Sequence, residues 1–264
     1  MLPQSQDSTD LYAIKALYNN YIHFPVPGSL MYFQDKYDQT VKVFGYLWLI
    51  RGNGKTILVD TGLGAPPDKA TQVERQVFGN FAIDPGKDTV SLLHNEGLAP
   101  EDVDYVILTH MHFDHIANLQ LFSRAQILVS RRGWISVVAP EHPGLVPAGL
   151  FPRSIYAFML HEAWERVVLL PEQAEVLPGL RVFWVGGHTP CSQAIRINTP
   201  RGKVIITGDA VFLYGNIEQN VPVGYCSNLA ECFHAMDRFR REGDLILPSH
   251  DPRVLERFPG GVIA

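Results

Sequence analysis

Short runs of consecutive apolar, often β-branched residues recur along the chain, separated by turn-forming residues and by stretches of helical period. Such runs read as strands buried on both faces. The pattern predicts strands over residues 45–50, 56–60, 105–109, 126–130, 181–185, 194–198, 203–207 and 244–247. Between the first two, Arg51-Gly52-Asn53-Gly54-Lys55 predicts a hairpin turn, and Pro200-Arg201-Gly202-Lys203 does the same later. That recurrence points to two related halves, although no residue-level repeat accompanies it.

Helical patterns fill the intervals. Residues 88–96 open on Asp88 and stop at Gly97. Residues 229–241 place Leu229, Cys232, Phe233, Met236 and Phe239 at helical spacing, a stripe expected to face a core. Residues 140–164 are proline-rich, then aromatic, with weaker periodicity. They read equally as ordinary helical packing or as a lid over a substrate pocket. Strands alternating with helices define an α/β fold.

Composition narrows the class. A chain of 264 residues with 46% hydrophobic residues can bury a sizeable core and suits a single domain over residues 1–264. A net charge of −5 argues against nucleic acid or an anionic membrane as partner, and leaves a small-molecule substrate. The N-terminus lacks a basic start and an apolar stretch, so no signal peptide is expected. No apolar run reaches the roughly 18 residues that span a bilayer. Cys191, Cys226 and Cys232 are odd in number and lack Cys-x-x-Cys spacing, which predicts free thiols and a cytoplasmic location.

One segment stands apart. Directly after Tyr105-Val-Ile-Leu108 the chain reads Thr109-His110-Met-His112-Phe-Asp114-His115, a dense set of ligand-type side chains at the C-terminal end of a predicted strand. Packing does not call for such a cluster. Three further candidates follow apolar runs, each beside glycine or proline: His188 in Gly186-Gly-His-Thr-Pro190, Asp209 in Gly208-Asp-Ala210, and His250 in Pro248-Ser-His-Asp251. Singly, each reads as a loop residue or cap; together they complete a constellation. Five imidazoles and two carboxylates suit zinc, with iron, manganese or cobalt as alternatives. Seven donors exceed one ion's needs and predict two ions bridged by a carboxylate. His142 sits in no comparable context; His94 and His234 fall on predicted helices and read as surface or structural, whereas His23 and His161 flank candidate pocket segments.

These motifs, with Leu58-Val-Asp60-Thr-Gly62, resemble the metallo-β-lactamase superfamily. Within it the chain is most similar to the N-acyl homoserine lactone lactonases, through Leu11-Tyr-Ala-Ile-Lys15, Tyr46-Leu-Trp-Leu-Ile50, Asn118-Leu119 and Asn220-Val-Pro222. The resemblance implies an αβ/βα four-layer sandwich. It implies one ion on His110, His112 and His188, a second on Asp114, His115 and His250, Asp209 between them, and Asp60 orienting a ligand from behind. It also implies that Asp114 carries a proton, and it is compatible with a homodimer. Two positions depart. Phe212 stands where those lactonases carry a tyrosine that assists the substrate carbonyl, which makes Tyr214 the candidate replacement. Cys191 and Ser192 stand where the group reads Gly-His.

A metal pair can generate hydroxide at neutral pH without a serine or cysteine nucleophile. The chain has neither a Gly-x-Ser-x-Gly elbow nor a P-loop. The expected reaction is therefore hydrolysis of a lactone or carboxylic ester in an apolar pocket. Candidates for its lining are Phe24, Met31, Tyr32, Phe33, Phe151, Tyr156 and Phe158. Rival readings are thioester, amide or β-lactam hydrolysis, iron-dependent redox chemistry, and a non-catalytic metal-binding module.

Overall fold

The computed structural model describes residues 10–19, 22–65 and 69–264, apart from the side chain of Phe78. Residues 1–9, which hold most of the stretch expected to carry no signal peptide, lie outside them. The strands are β1 (Ala13–Asn19), β2 (Val26–Pro27), β3 (Thr40–Val41), β4 (Gly45–Gly52), β5 (Lys55–Val59), β6 (Tyr105–Ile107), β7 (Gln126–Ser130), β8 (Val167–Leu170), β9 (Gln173–Leu177), β10 (Leu180–Trp184), β11 (Gln193–Thr199), β12 (Gly202–Ile206) and β13 (Leu245–Leu247). They pair into a six-stranded sheet, β1-β4-β5-β6-β7-β8, and a five-stranded sheet, β13-β12-β11-β10-β9, with β2-β3 as a small ribbon.

The two large sheets share one core. Tyr46, Trp48, Ile50, Ile57, Val59 and Leu128 from the first sheet pack with Val182, Ile195, Ile197, Val204 and Ile206 from the second. Side chains alternate across a strand, so the residues between these face the other way. Leu47, Leu49, Leu58, Ile127 and Val129 meet Leu93, Trp134, Ile155 and Met159 of the overlying helices. In the second sheet Phe183, Ala194 and Ile205 meet Ala235, Met236 and Phe239 of the helix Leu229–Glu242. Helix, sheet, sheet, helix: this is the αβ/βα sandwich. It also explains why the strands read as continuous apolar runs, because both faces are covered.

Both sheets run through the same order of pairings. β4 and β5 form an antiparallel hairpin and β5 then pairs parallel with β6; β11 and β12 form a hairpin and β12 pairs parallel with β13. The first hairpin closes through Asn53 and Gly54, both left-handed at φ +52° and +67°, as a type I′ turn requires. Parallel pairing brings the C-terminal ends of β5 and β6 to one edge, and those of β12 and β13 to another. There the chain turns out of the sheets and carries its ligand-type residues.

Three strands of the two large sheets escaped the hydrophobic pattern, β1, β8 and β9, as did both strands of the small ribbon, β2 and β3. Helices appear as expected at Thr89–His94, with Asp88 capping Ser91 N, and at Leu229–Glu242. Phe233, however, is exposed, and Ala235 takes the buried position beside Met236. In residues 140–164 the helix Arg153–His161 buries Ile155, Tyr156, Phe158 and Met159 in the core, while Leu150, just before it, reaches the pocket described below. Among the described residues, no helix is long and apolar enough to cross a membrane.

Candidate metal centre

Four strand ends build the site. His110, His112, Asp114 and His115 lie on the loop and short helix (Phe113–Ile116) that follow β6. His188 follows β10, Asp209 sits in the 3-10 turn Gly208–Ala210 after β12, and His250 follows β13. Gly208, at φ +52°, lies so close to Thr109 that a Cβ there would come within 2.6 Å of the threonine Cβ. Only glycine lets Asp209 enter at this depth. Gln193 clamps the sheets beside it, its N and Nε2 donating to the carbonyls of Thr109 and Leu108 at 2.8 and 2.7 Å.

All seven expected donors converge, in two groups: His110, His112, His188 and Asp209, and Asp114, His115 and His250. Asp209 touches both. Its Oδ2 lies 3.5 Å from His110 Nε2 and 3.4 Å from His188 Nε2, and its Oδ1 lies 3.3 Å from His115 Nε2 and 3.2 Å from His250 Nε2.

Three of the imidazoles are oriented from behind. His188 Nδ1 donates to the Tyr225 carbonyl and His250 Nδ1 to the Phe44 carbonyl, both at 2.7 Å. His115 Nδ1 pairs with Asp60 Oδ2 at 2.8 Å. Asp60 in turn accepts from Thr109 N and Oγ1, both at 2.7 Å. These contacts fix the outward nitrogens and leave Nε2 aimed at the centre, the usual role of a metal ligand's supporting shell.

Charge and burial fit a cation. His110 Nε2, His115 Nε2 and Asp209 Oδ1 are buried with no hydrogen-bond partner. Orphaned buried polar atoms are rare because each costs about 1–3 kcal/mol. Burial first, then the neighbouring imidazoles, holds His110 and His112 well below the ordinary histidine range, so both offer lone pairs. Burial acts downward on His115 as well, but Asp209, Asp114 and Asp60 outweigh it and raise it well above. Burial acts upward on Asp209, yet His115, His250 and His110 hold it well below the carboxylate range. The potential that draws a proton to His115 draws a divalent ion equally, and ion and proton compete for the same nitrogen.

A cavity of about 380 Å³ opens over the two groups. Phe24 and Met31 line it as the sequence predicted; Tyr32, Phe33, Phe151, Tyr156 and Phe158 do not. Phe151 instead packs its ring 4.7 Å from that of His112, and Tyr156 donates to the Met111 carbonyl at 2.9 Å. Tyr214 is a correction. The helix Tyr214–Gln219 turns its ring into the inter-sheet core, under the guanidinium of Arg257 at 3.7 Å, and it lies outside the pocket lining. His23, against the Ala82 carbonyl, and His161, at a helix end, also stand apart from the cluster. Sequence reading missed Leu30, Phe81 and Tyr225, which carry no motif, and Phe113, which lies inside the histidine-rich one.

The sandwich thus carries a buried His/Asp centre whose two donor groups could each hold a metal ion. The family profile of the metallo-beta-lactamase superfamily matches residues 41–250, and the chain belongs to that superfamily. It is 29% identical over 194 residues to an N-acyl homoserine lactonase of Bacillus cereus, covering 70% of this chain and 71% of that protein. It is 31% identical over 161 residues to metallo-beta-lactamase domain-containing protein 1 of Xenopus laevis, 61% of this chain and 59% of the relative. Among solved structures, an N-acyl homoserine lactone hydrolase with N-hexanoyl-L-homoserine at its metal centre superposes with a TM-score of 0.72 at 21% identity, covering 94% of this chain and 97% of the other. AidC, a dizinc quorum-quenching lactonase, gives 0.68 at 16% identity, covering 98% and 91%.

Proposed function

We propose that this protein is a dinuclear metal hydrolase that opens a lactone or another carboxylic ester. One observation carries the reading: the two oxygens of Asp209 face opposite donor groups at the floor of an apolar pocket. In this reading His110, His112 and His188 hold one divalent cation, Asp114, His115 and His250 hold the second, and Asp209 serves both. The imidazole-rich donor set favours zinc, with iron, manganese and cobalt as alternatives. When bound, such a pair lowers the pKa of a water to near neutrality and stabilises charge developing on a carbonyl oxygen.

The chain's own residues supply the rest. Asp114 lines the pocket and its side chain retains 16% exposure, so it can take a proton from water and pass it to the leaving oxygen. Asp60 holds His115 in place, and the Tyr225 and Phe44 carbonyls hold His188 and His250. Phe24, Leu30, Phe81 and Phe113 seat an apolar acyl group and keep bulk water from it. The relatives named as N-acyl homoserine lactonases support a lactone over an acyclic ester, and residues 1–264 act as a single domain in this scheme.

The test is a hydrolysis screen of metal-reconstituted protein against acyl lactones, aryl esters, thioesters and β-lactams. Lactones should give the highest kcat/KM, and a thioester or β-lactam exceeding them by tenfold overturns the substrate assignment. Asp209→Ala should reduce bound metal from two ions per chain to one or none and abolish turnover. Two ions retained by that variant contradict the bridge.

A further inference from the structure

Outside the proposed ligands, the walls of the pocket are almost wholly hydrocarbon and aromatic carbon. Tyr225 is the exception. Among the described residues, its phenol is the one side chain in the lining, apart from the histidines and aspartates of the metal groups, that can donate a hydrogen bond. Phe212 forms the neighbouring wall, with its ring 5.3 Å from His188 and 5.5 Å from His250, and has no hydroxyl to offer.

Tyr225 is held firmly over one of the two groups. Its ring centroid lies 5.6 Å from that of His188 and 6.2 Å from that of His112. Its carbonyl accepts from His188 Nδ1 and its N donates to the Leu30 carbonyl at 3.1 Å, so the residue bridges a ligand and the opposite pocket wall. Two residues on, Ser227 N donates to the Gly187 carbonyl at 2.8 Å, tying the segment to the His188 turn. The residue is 45% exposed, and its hydroxyl has no hydrogen-bond partner among the described residues. A phenol hydroxyl is a hydrogen-bond donor as well as an acceptor.

We infer that Tyr225 is the substrate-contacting hydroxyl of this pocket, donating a hydrogen bond to the scissile carbonyl oxygen on the His112–His188 side. The inference rests on the lactone or ester reading above. A donor aimed where negative charge develops strengthens as the oxygen becomes an oxyanion, so its contribution falls mainly on kcat. An apolar pocket with a single directional donor also selects substrates by carbonyl placement and leaves the acyl tail loosely specified.

Tyr225→Phe keeps the ring and removes only the hydroxyl. In metal-reconstituted protein, kcat/KM on an acyl homoserine lactone should fall roughly 10- to 100-fold, chiefly through kcat. Bound metal and the melting midpoint should match the parent. Calorimetric binding of the corresponding γ-lactam, a slowly hydrolysed carbonyl analogue, should weaken by about fivefold. A variant within twofold of the parent in both turnover and lactam affinity overturns the role of Tyr225 while leaving the hydrolase reading intact. A parent protein that neither hydrolyses the lactone nor binds the lactam overturns both.

Discussion

Asp60 sits at φ +60°, a left-handed conformation that a residue with a Cβ adopts at a cost of about 1 kcal/mol or more. The return is a carboxylate that ties Thr109 and His115 together from behind the centre. Asp60→Ala keeps the Cβ and so relieves none of the backbone strain, and it strands two donors and an imidazole nitrogen. It should therefore cost about 2–4 kcal/mol in denaturant unfolding and weaken metal affinity about 10- to 100-fold in a chelator competition. An unchanged affinity would show that His115 is oriented by its ring packing alone. At this scale the sequence was legible where chemistry is dense. His110, His112, Asp114 and His115 fall within six positions, and glycine or proline flanks the other three donors. Legibility failed for isolated phenols. Tyr214 stands five positions after Asp209, yet the turn between them and the helix it opens place its ring in the inter-sheet core. Tyr225 stands sixteen positions after Asp209 and reaches the site because its segment folds back onto Gly187 and His188.

At the scale of elements, the strands that could be read are those covered on both faces, because each presents an unbroken apolar run. β8 and β9 are not of that kind. Three of the four residues of β8 are only half-buried, and β9 sends Gln173 and Glu175 to solvent between Ala174 and Val176. Both are terminal strands of their sheets; β8, Val167-Val168-Leu169-Leu170, is wholly apolar, and its composition does not explain why it was missed. At a sheet's edge one side lacks a neighbour, and polar residues such as those of β9 are tolerated. β1 mixes lysine and asparagine among its apolar positions for the same reason. Turn chemistry was the more dependable guide. In the β4–β5 hairpin a Cβ on Gly54 would meet nothing within 4 Å, so space is not what requires glycine there. Gly54→Ala should lower stability by about 1 kcal/mol through conformation alone, read as a shift of the urea midpoint at unchanged slope. A loss of several kcal/mol would mean that the hairpin register had slipped.

Across the whole molecule, the centre lies where the two sheets meet, and its donors are drawn from both. His110, His112, Asp114 and His115 come from the first sheet, and His188, Asp209 and His250 from the second. Ions bound there act as a staple between the layers. Removing them with a chelator should lower the melting temperature, and restoring zinc should recover it, since an ion held a thousandfold above its Kd adds about 4 kcal/mol. Calorimetry on stripped and reloaded protein measures this directly, and coincident melting curves would place the staple's strength near zero. Sequence reading could foresee two halves from the repeated hairpin signal. It could not foresee how they face each other, because that depends on which side of each apolar run turns inward, and a run that is apolar throughout leaves the choice to packing.

The double allegiance of Asp209 has a consequence for how such a protein can be divided. Each donor group mixes residues from before and after the chain's midpoint, so neither fragment of a split polypeptide inherits a finished centre. Rejoining the fragments must rebuild the whole constellation at once. Recovered turnover from co-expressed halves would thus count docked pairs alone, with no background from either piece.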